Sequence, residues 1–179
     1  MQMRSSASWL FACLTAVALT GLPTVAAADD WDACGKQSGD LAVAGCSRAI
    51  DSNQYTGRNL AWLYASRGVA YLAQSDLDHA MADFNEAIRL DPKNAAPYYN
   101  RGVAWKAKGD LDRAIADYSE AILLNPKHAS SYYNRGVAWV KKRSLQKALA
   151  DFETYSQLVP SDPDGPKSVE RVKKELSAR

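Results

Sequence analysis

The sequence is short of the residues from which most active sites are built. It holds three cysteines and two histidines in 179 residues. Around them there is no C-x-x-C, no H-E-x-x-H, no glycine-rich phosphate loop and no G-x-S-x-G. A charge excess of either sign is also missing, since 22 Lys and Arg face 20 Asp and Glu for a formal net charge of +2. Bulk charge therefore gives no basis for binding nucleic acid or docking on an anionic membrane. Past the first two dozen residues there is no apolar run near the ~20 residues that span a bilayer.

The histidines belong to separate segments. His79 lies early in a predicted helix and His128 follows Pro126, and both are expected to face solvent. The acid pairs Asp76/Asp78 and Asp110/Asp112 begin predicted helices, where the helix dipole and capping favour carboxylates. No metal, no cofactor and no enzymatic activity are expected.

The N-terminus is different in kind. Arg4 is its only charge before Asp29, the apolar stretch Trp9–Leu19 follows, and Ala26–Ala28 ends it. A basic start, a short apolar core and small residues at an A-x-A site predict a secretory signal peptide over residues 1–28. Gly21 and Pro23 end the apolar run too early for a membrane anchor. Leu10–Cys13 loosely resembles a lipobox but stands at the start of the core. Cleavage after Ala28 removes Arg4 and leaves 21 basic against 20 acidic residues, a net charge of +1. The mature protein is then expected to be soluble, without stable membrane insertion, and periplasmic or secreted. Cys13 leaves with the signal. Cys34 and Cys46 remain as an even pair, which in an oxidising compartment reads as a disulfide. A loop of that length is worth roughly 3 kcal/mol by chain entropy.

What the sequence has in abundance is itself. Tyr64–Tyr71, Tyr98–Trp105 and Tyr132–Trp139 repeat one pattern at intervals of 34 residues. Asp83–Ile88 recurs as Asp117–Ile122 and more loosely as Asp151–Ser156, and Pro92, Pro126 and Pro160 close the units. Leu77, Met81, Phe84 and Ile88 form an apolar helical stripe, as do Leu111, Ile115, Tyr118 and Ile122. Glycine at 68, 102 and 136 and alanine at 80, 114 and 148 are expected where the two helices of a unit meet. Asp76, Asp110 and Ser144 are placed to cap the second helices. Gly109 suits the turn between helices. Ser75 and Arg143 in its place predict backbone strain if that turn needs positive φ.

The period, the small residues at the eighth and twentieth positions and the large ones at the fourth, eleventh and twenty-fourth resemble the tetratricopeptide repeat (TPR) family. The resemblance implies an all-α fold, a right-handed solenoid of antiparallel helix pairs, with units at 61–94, 95–128 and 129–162. Residues 42–50 echo 114–122, with Cys46 at the place of Tyr118. Residues 29–58 therefore read as a degenerate N-terminal hairpin cap with Cys34 and Cys46 on facing helices, similar to the leader unit of exported bacterial TPR proteins. Four extra residues lie in the loop from Ser52 to Gly57. Pro166 is expected to open a C-terminal capping helix over 166–178, with Val169, Val172 and Leu176 inward.

In this family the first helices line a concave groove. Carried onto this chain, the groove holds Trp62, Ala65, Ser66, Val69 and Leu72, then Tyr99, Asn100, Val103, Lys106 and Ala107, then Tyr133, Asn134, Val137, Val140 and Lys141. The asparagines offer donors and acceptors to a peptide backbone. The aromatic residues offer rigid contact area. Lys106 and Lys141 add positive charge. Ala65/Val69, Tyr99/Val103 and Tyr133/Val137 replace the Lys and Asn of the carboxylate clamp of chaperone-binding relatives. The resemblance implies a scaffold or adaptor for a protein or an extended peptide carrying apolar side chains and acids. Self-association into a homo-oligomer is the alternative.

Overall fold

The computed structural model describes the backbone of residues 25–178 and the side chains of residues 29–178. The expected signal peptide lies outside the described residues, except that Val25–Ala28 form the first turn of the first helix. Nine helices and no strand are found among the described residues: α1 (Val25–Lys36), α2 (Gly39–Asp51), α3 (Gly57–Ala73), α4 (Leu77–Leu90), α5 (Ala95–Ala107), α6 (Leu111–Leu124), α7 (Ala129–Lys141), α8 (Leu145–Leu158) and α9 (Asp164–Ser177). Each helix packs on its chain neighbours, and α1, α3, α5 and α7 also touch in succession. The first helices thus share one face and the second helices the other.

Phe84, Tyr118 and Phe152 explain the glycines. These rings are fully buried, and a Cβ on Gly68 would stand 2.7 Å from the Phe84 ring. The same contact is 2.7 Å from Gly102 to Tyr118 and 2.9 Å from Gly136 to Phe152. The space left by the missing side chain is thus filled first by an aromatic edge, and only next by the carbonyls of Ala80 and Ala114. Truncating such a ring to alanine costs about 3–5 kcal/mol.

The turns inside the units end their first helices with a Schellman bond. Asp76 N–H donates to the Tyr71 carbonyl, Asp110 to Trp105 and Ser144 to Trp139, at 2.9, 3.0 and 2.9 Å. That motif needs a left-handed residue, and φ is +63° at Ser75, +84° at Gly109 and +60° at Arg143. The two non-glycine positions carry about 1–2 kcal/mol of strain each.

Two local expectations are corrected. Asp76 and Asp110 accept from the N–H groups of His79 and Arg113, but Ser144 makes no side-chain cap. Arg113 holds Asp110 with its Nε at 2.6 Å while its guanidinium covers the Trp105 ring. The counterpart Lys147 lies over Trp139, 4.5 Å from the ring centroid, and leaves the serine hydroxyl unanchored. The last helix starts at Asp164, not Pro166. Proline fits inside its first turn because that turn needs no N–H donor there, and the Asp162 carboxylate accepts from Asp164 N–H at 2.9 Å. Val169 and Val172 are buried against Leu145, Ala148 and Phe152, with Leu176 beside them.

A ladder of ion pairs, not anticipated from the sequence, runs through the array. Arg67 grips Asp83, Arg101 grips Asp117 and Arg135 grips Asp151, each with two hydrogen bonds of 2.7–2.9 Å. The third nitrogen of each fork reaches back to the preceding second helix, at Ser47, Asn85 and Ser119. One arginine thus joins three helices.

At the N-terminal end α1 and α2 form a hairpin with Cys34 and Cys46 sulfurs 2.02 Å apart and their Cα atoms 4.5 Å apart. Cys34, Cys46, Ala49 and Leu63 form a small core, and Trp31 is held between Tyr55 and Trp62.

Candidate peptide-binding groove

The face shared by α3, α5 and α7 has a charge pattern set by the sequence of those helices. None of the three contains an aspartate or glutamate. Their arginines 67, 101 and 135 are tied to the aspartates of the second helices, and Arg58 lies 3.8 Å from Asp91. Lys106 and Lys141 are left, and neither is in an ion pair among the described residues.

Tyr99, Asn134, Lys106 and Lys141 come together in the middle of this face. Lys106 Nζ donates to Asn134 Oδ1, and Asn134 Nδ2 donates to the Tyr99 hydroxyl and to the Ser130 carbonyl, both at 3.1 Å. Burial, and after it the nearby Lys141 ammonium, lowers the Lys106 pKa. Burial raises the Tyr99 pKa against the hydrogen bonds from Ser130 and Asn134. Asn134 is thus already engaged and holds Lys106 in place, where the sequence suggested an amide open to a peptide backbone. Asn100 is half-buried with no hydrogen bond inside the described residues, so its amide is the one that remains open.

The other expected positions divide. Val103 is half-buried between the aromatic residues and Lys106 along α5, while Ala107 is exposed. Tyr133, Val137 and Val140 pack partly onto the core formed with α8 and α9, and the Tyr133 ring lies 5.6 Å from Phe152 and 5.0 Å from Tyr155. At the other end, Ala65, Ser66 and Leu72 are half-buried, and Trp62 and Val69 stay 36% and 45% exposed. Trp62 stacks on Trp31 with ring centroids 4.3 Å apart, so only one of its faces is open.

Beside Trp62 lies a cleft of about 280 Å³ whose far wall is the α1–α2 hairpin, with Cys34, Gly35, Ser38 and Ala42. Sequence reasoning missed this wall. The cap departs from the 34-residue period, and no local pattern aligns its turn with α3.

The histidines also differ from expectation in part. His79 is exposed and lies 2.8 Å from Asp76. His128 is half-buried, tilted against Tyr99 with centroids 4.9 Å apart, and its Nδ1 is 2.8 Å from Ser131 Oγ. That serine is fully buried, which keeps its hydroxyl from a substrate. No group of three or more His, Cys, Asp or Glu among the described residues is arranged to hold a metal. No helix among them is long and apolar enough to cross a membrane.

Antiparallel helix pairs stacked in register, with their first helices on one shared face, define a helical-repeat solenoid. The chain belongs to the tetratricopeptide repeat family: the profile described as TPR repeat matches residues 68–109, and the one described as Tetratricopeptide repeat matches residues 106–173. No curated protein matches the chain. Among solved structures, the first TPR of Spaghetti (RPAP3) bound to the HSP90 peptide SRMEEVD is 22% identical, with a TM-score of 0.66 over 70% of this chain and 99% of that one. The second TPR domain of human RPAP3 in complex with the HSP70 peptide SGPTIEEVD is 25% identical, with a TM-score of 0.58 over 63% and 98%. MamA is similar over 85% of this chain and 83% of its own, at 19% identity and a TM-score of 0.73.

Proposed function

We propose that the chain is a non-enzymatic adaptor of the bacterial envelope that holds an extended peptide, or an extended segment of a partner protein, against α3, α5 and α7. One observation carries this reading: α3, α5 and α7 are free of acids, yet present exposed Trp62 and Val69 at one end and, further along, two lysines with no ion pair among the described residues. A face that only packed would cover the apolar groups, and one that only kept the chain soluble would mix its charges. Peptide-bound neighbours of the same fold support the choice of a peptide over a small molecule.

The test is capture from an envelope extract by the whole chain beside two variants. One carries Asn100→Asp, Val103→Asp and Lys141→Glu. The other carries Leu123→Asp at a side chain 72% exposed on α6. A partner retained by the wild type and the second variant but lost by the first supports the groove. Loss by the second variant alone moves the site to the outer face. No partner, with a mass that grows with concentration, makes self-association the function.

Export is part of the proposal, and the composition of residues 1–28 supports it. So does the pairing of Cys34 and Cys46, which suits an oxidising compartment. Expression from the full sequence should yield a periplasmic or secreted protein that begins at Asp29 and resists thiol alkylation until reduced. A cytoplasmic product with Met1 intact and reactive thiols at Cys34 and Cys46 would overturn it.

A further inference from the structure

The cleft beside Trp62 and the two lysines lie on the same face, and each is incomplete by itself. The cleft is about 280 Å³, at or below the roughly 300–1,000 Å³ of small-molecule sites, which suits one or two side chains. Its floor is Trp62, already fixed on one face by Trp31, and its side is Val69. Its far wall is held to α2 through Cys34 and Cys46. An apolar side chain entering it would meet surfaces that need no reordering, which lowers the cost of binding. Lys106 is fixed by Asn134 and half-buried beside Lys141, with no carboxylate among the described residues in ion-pair distance of either. A half-buried ammonium at Lys106 and an exposed one at Lys141, on helices α5 and α7 that hold no acid, are complementary to an anion.

Resting on the groove reading above, we propose that this face takes a linear peptide at two points: a leucine- or phenylalanine-sized side chain in the cleft between the α1–α2 turn and α3, and a glutamate or aspartate between Lys106 and Lys141. The two points have a definite separation. First helices of successive units stand about 10 Å apart, so the path from α3 to the space between α5 and α7 is roughly 15–20 Å. At about 3.3 Å per residue, an extended chain covers it in some five residues. The N-terminal hairpin is therefore part of the recognition surface as well as a cap.

Selection of a displayed library of random 12-residue peptides on the whole chain tests this. Enriched peptides should pair one large apolar residue with one acid about five positions away. In a synthetic peptide of that kind, replacing the apolar residue by serine, or glutamate by glutamine, should each weaken binding about tenfold by fluorescence polarisation. Val69→Lys should abolish the dependence on the apolar residue alone, and Lys141→Glu the dependence on the acid alone. Both positions are exposed, and unchanged circular dichroism and melting temperature show that the variants fold. Enriched peptides without the pair, or preferences that survive in the variants, overturn this inference and leave the groove reading intact. A wild-type chain that enriches no peptide overturns both.

Discussion

Arg101 on α5 closes a fork on Asp117 of α6, with Nε to Oδ2 at 2.8 Å and Nη2 to Oδ1 at 2.7 Å, and spends its remaining nitrogen on Asn85 of the unit before. The pair is largely out of water, with the two side chains 22% and 9% exposed. Removing one partner strands the other, so Asp117→Ala should destabilise the chain by about 2–4 kcal/mol. Replacing both with apolar residues of similar size should recover most of that. Urea denaturation of the two single variants and the double variant checks it. Additive losses would mean that the groups act independently.

Tyr118 occupies the place that Phe84 and Phe152 hold in the neighbouring units, but its hydroxyl is buried and has no hydrogen-bond partner among the described residues. Burial, followed by Tyr99 and Asp117, pushes the phenol pKa up, so the group stays neutral throughout the working pH range. Tyr118→Phe keeps the ring against Gly102 and removes an unsatisfied donor. A gain of about 1 kcal/mol is expected. A loss of stability in thermal or urea melts would show that the hydroxyl is bonded in solution.

His128 should give the array a slope in mildly acidic solution. Burial against Tyr99 lowers its pKa below the ordinary histidine value of about 6.5. The unfolded chain then takes up the proton more readily than the folded one. The contribution is present above pH ~6.5 and is lost as pH falls through the lower folded pKa. Denaturation midpoints measured from pH 7.5 to 5 should decline more steeply for the wild type than for His128→Gln. Equal slopes would mean that the ring titrates as it does in the unfolded chain.

Particular residues show why some of this could be read beforehand and some could not. Gly102, Ala114 and Tyr118 announce their roles because each returns at 34-residue intervals on a helix whose period is known. Arg101 and Asp117 return just as regularly. Their separation of sixteen residues crosses from one helix to the next, however, and no helical rule of three or four links them. Ser75 and Arg143 were legible through Gly109, since one glycine in the series revealed what the turn requires of the other two. Trp31 was not. Its partner Trp62 lies beyond a loop that breaks the period, and only the folded hairpin brings the rings together. Asn134 is placed on the face of the first helices by its position in the repeat, but its bonds to Lys106 and Tyr99 come from the unit before and could not be read from its own.

The arginine ladder stops where the repeats do. The next rung would lie 34 residues after Arg135, where the chain has Val169, buried on the core of α8. Glu153, which stands where Asn85 and Ser119 receive an arginine, meets Lys173 at 3.5 Å instead. Every interior unit therefore carries the same sockets on its two sides, and only the last helix carries a terminator. A whole 34-residue segment copied in phase between α4 and α7 would arrive with both halves of its contacts already written. Such a chain could change its reach in steps of one module, longer or shorter, without new chemistry at either end.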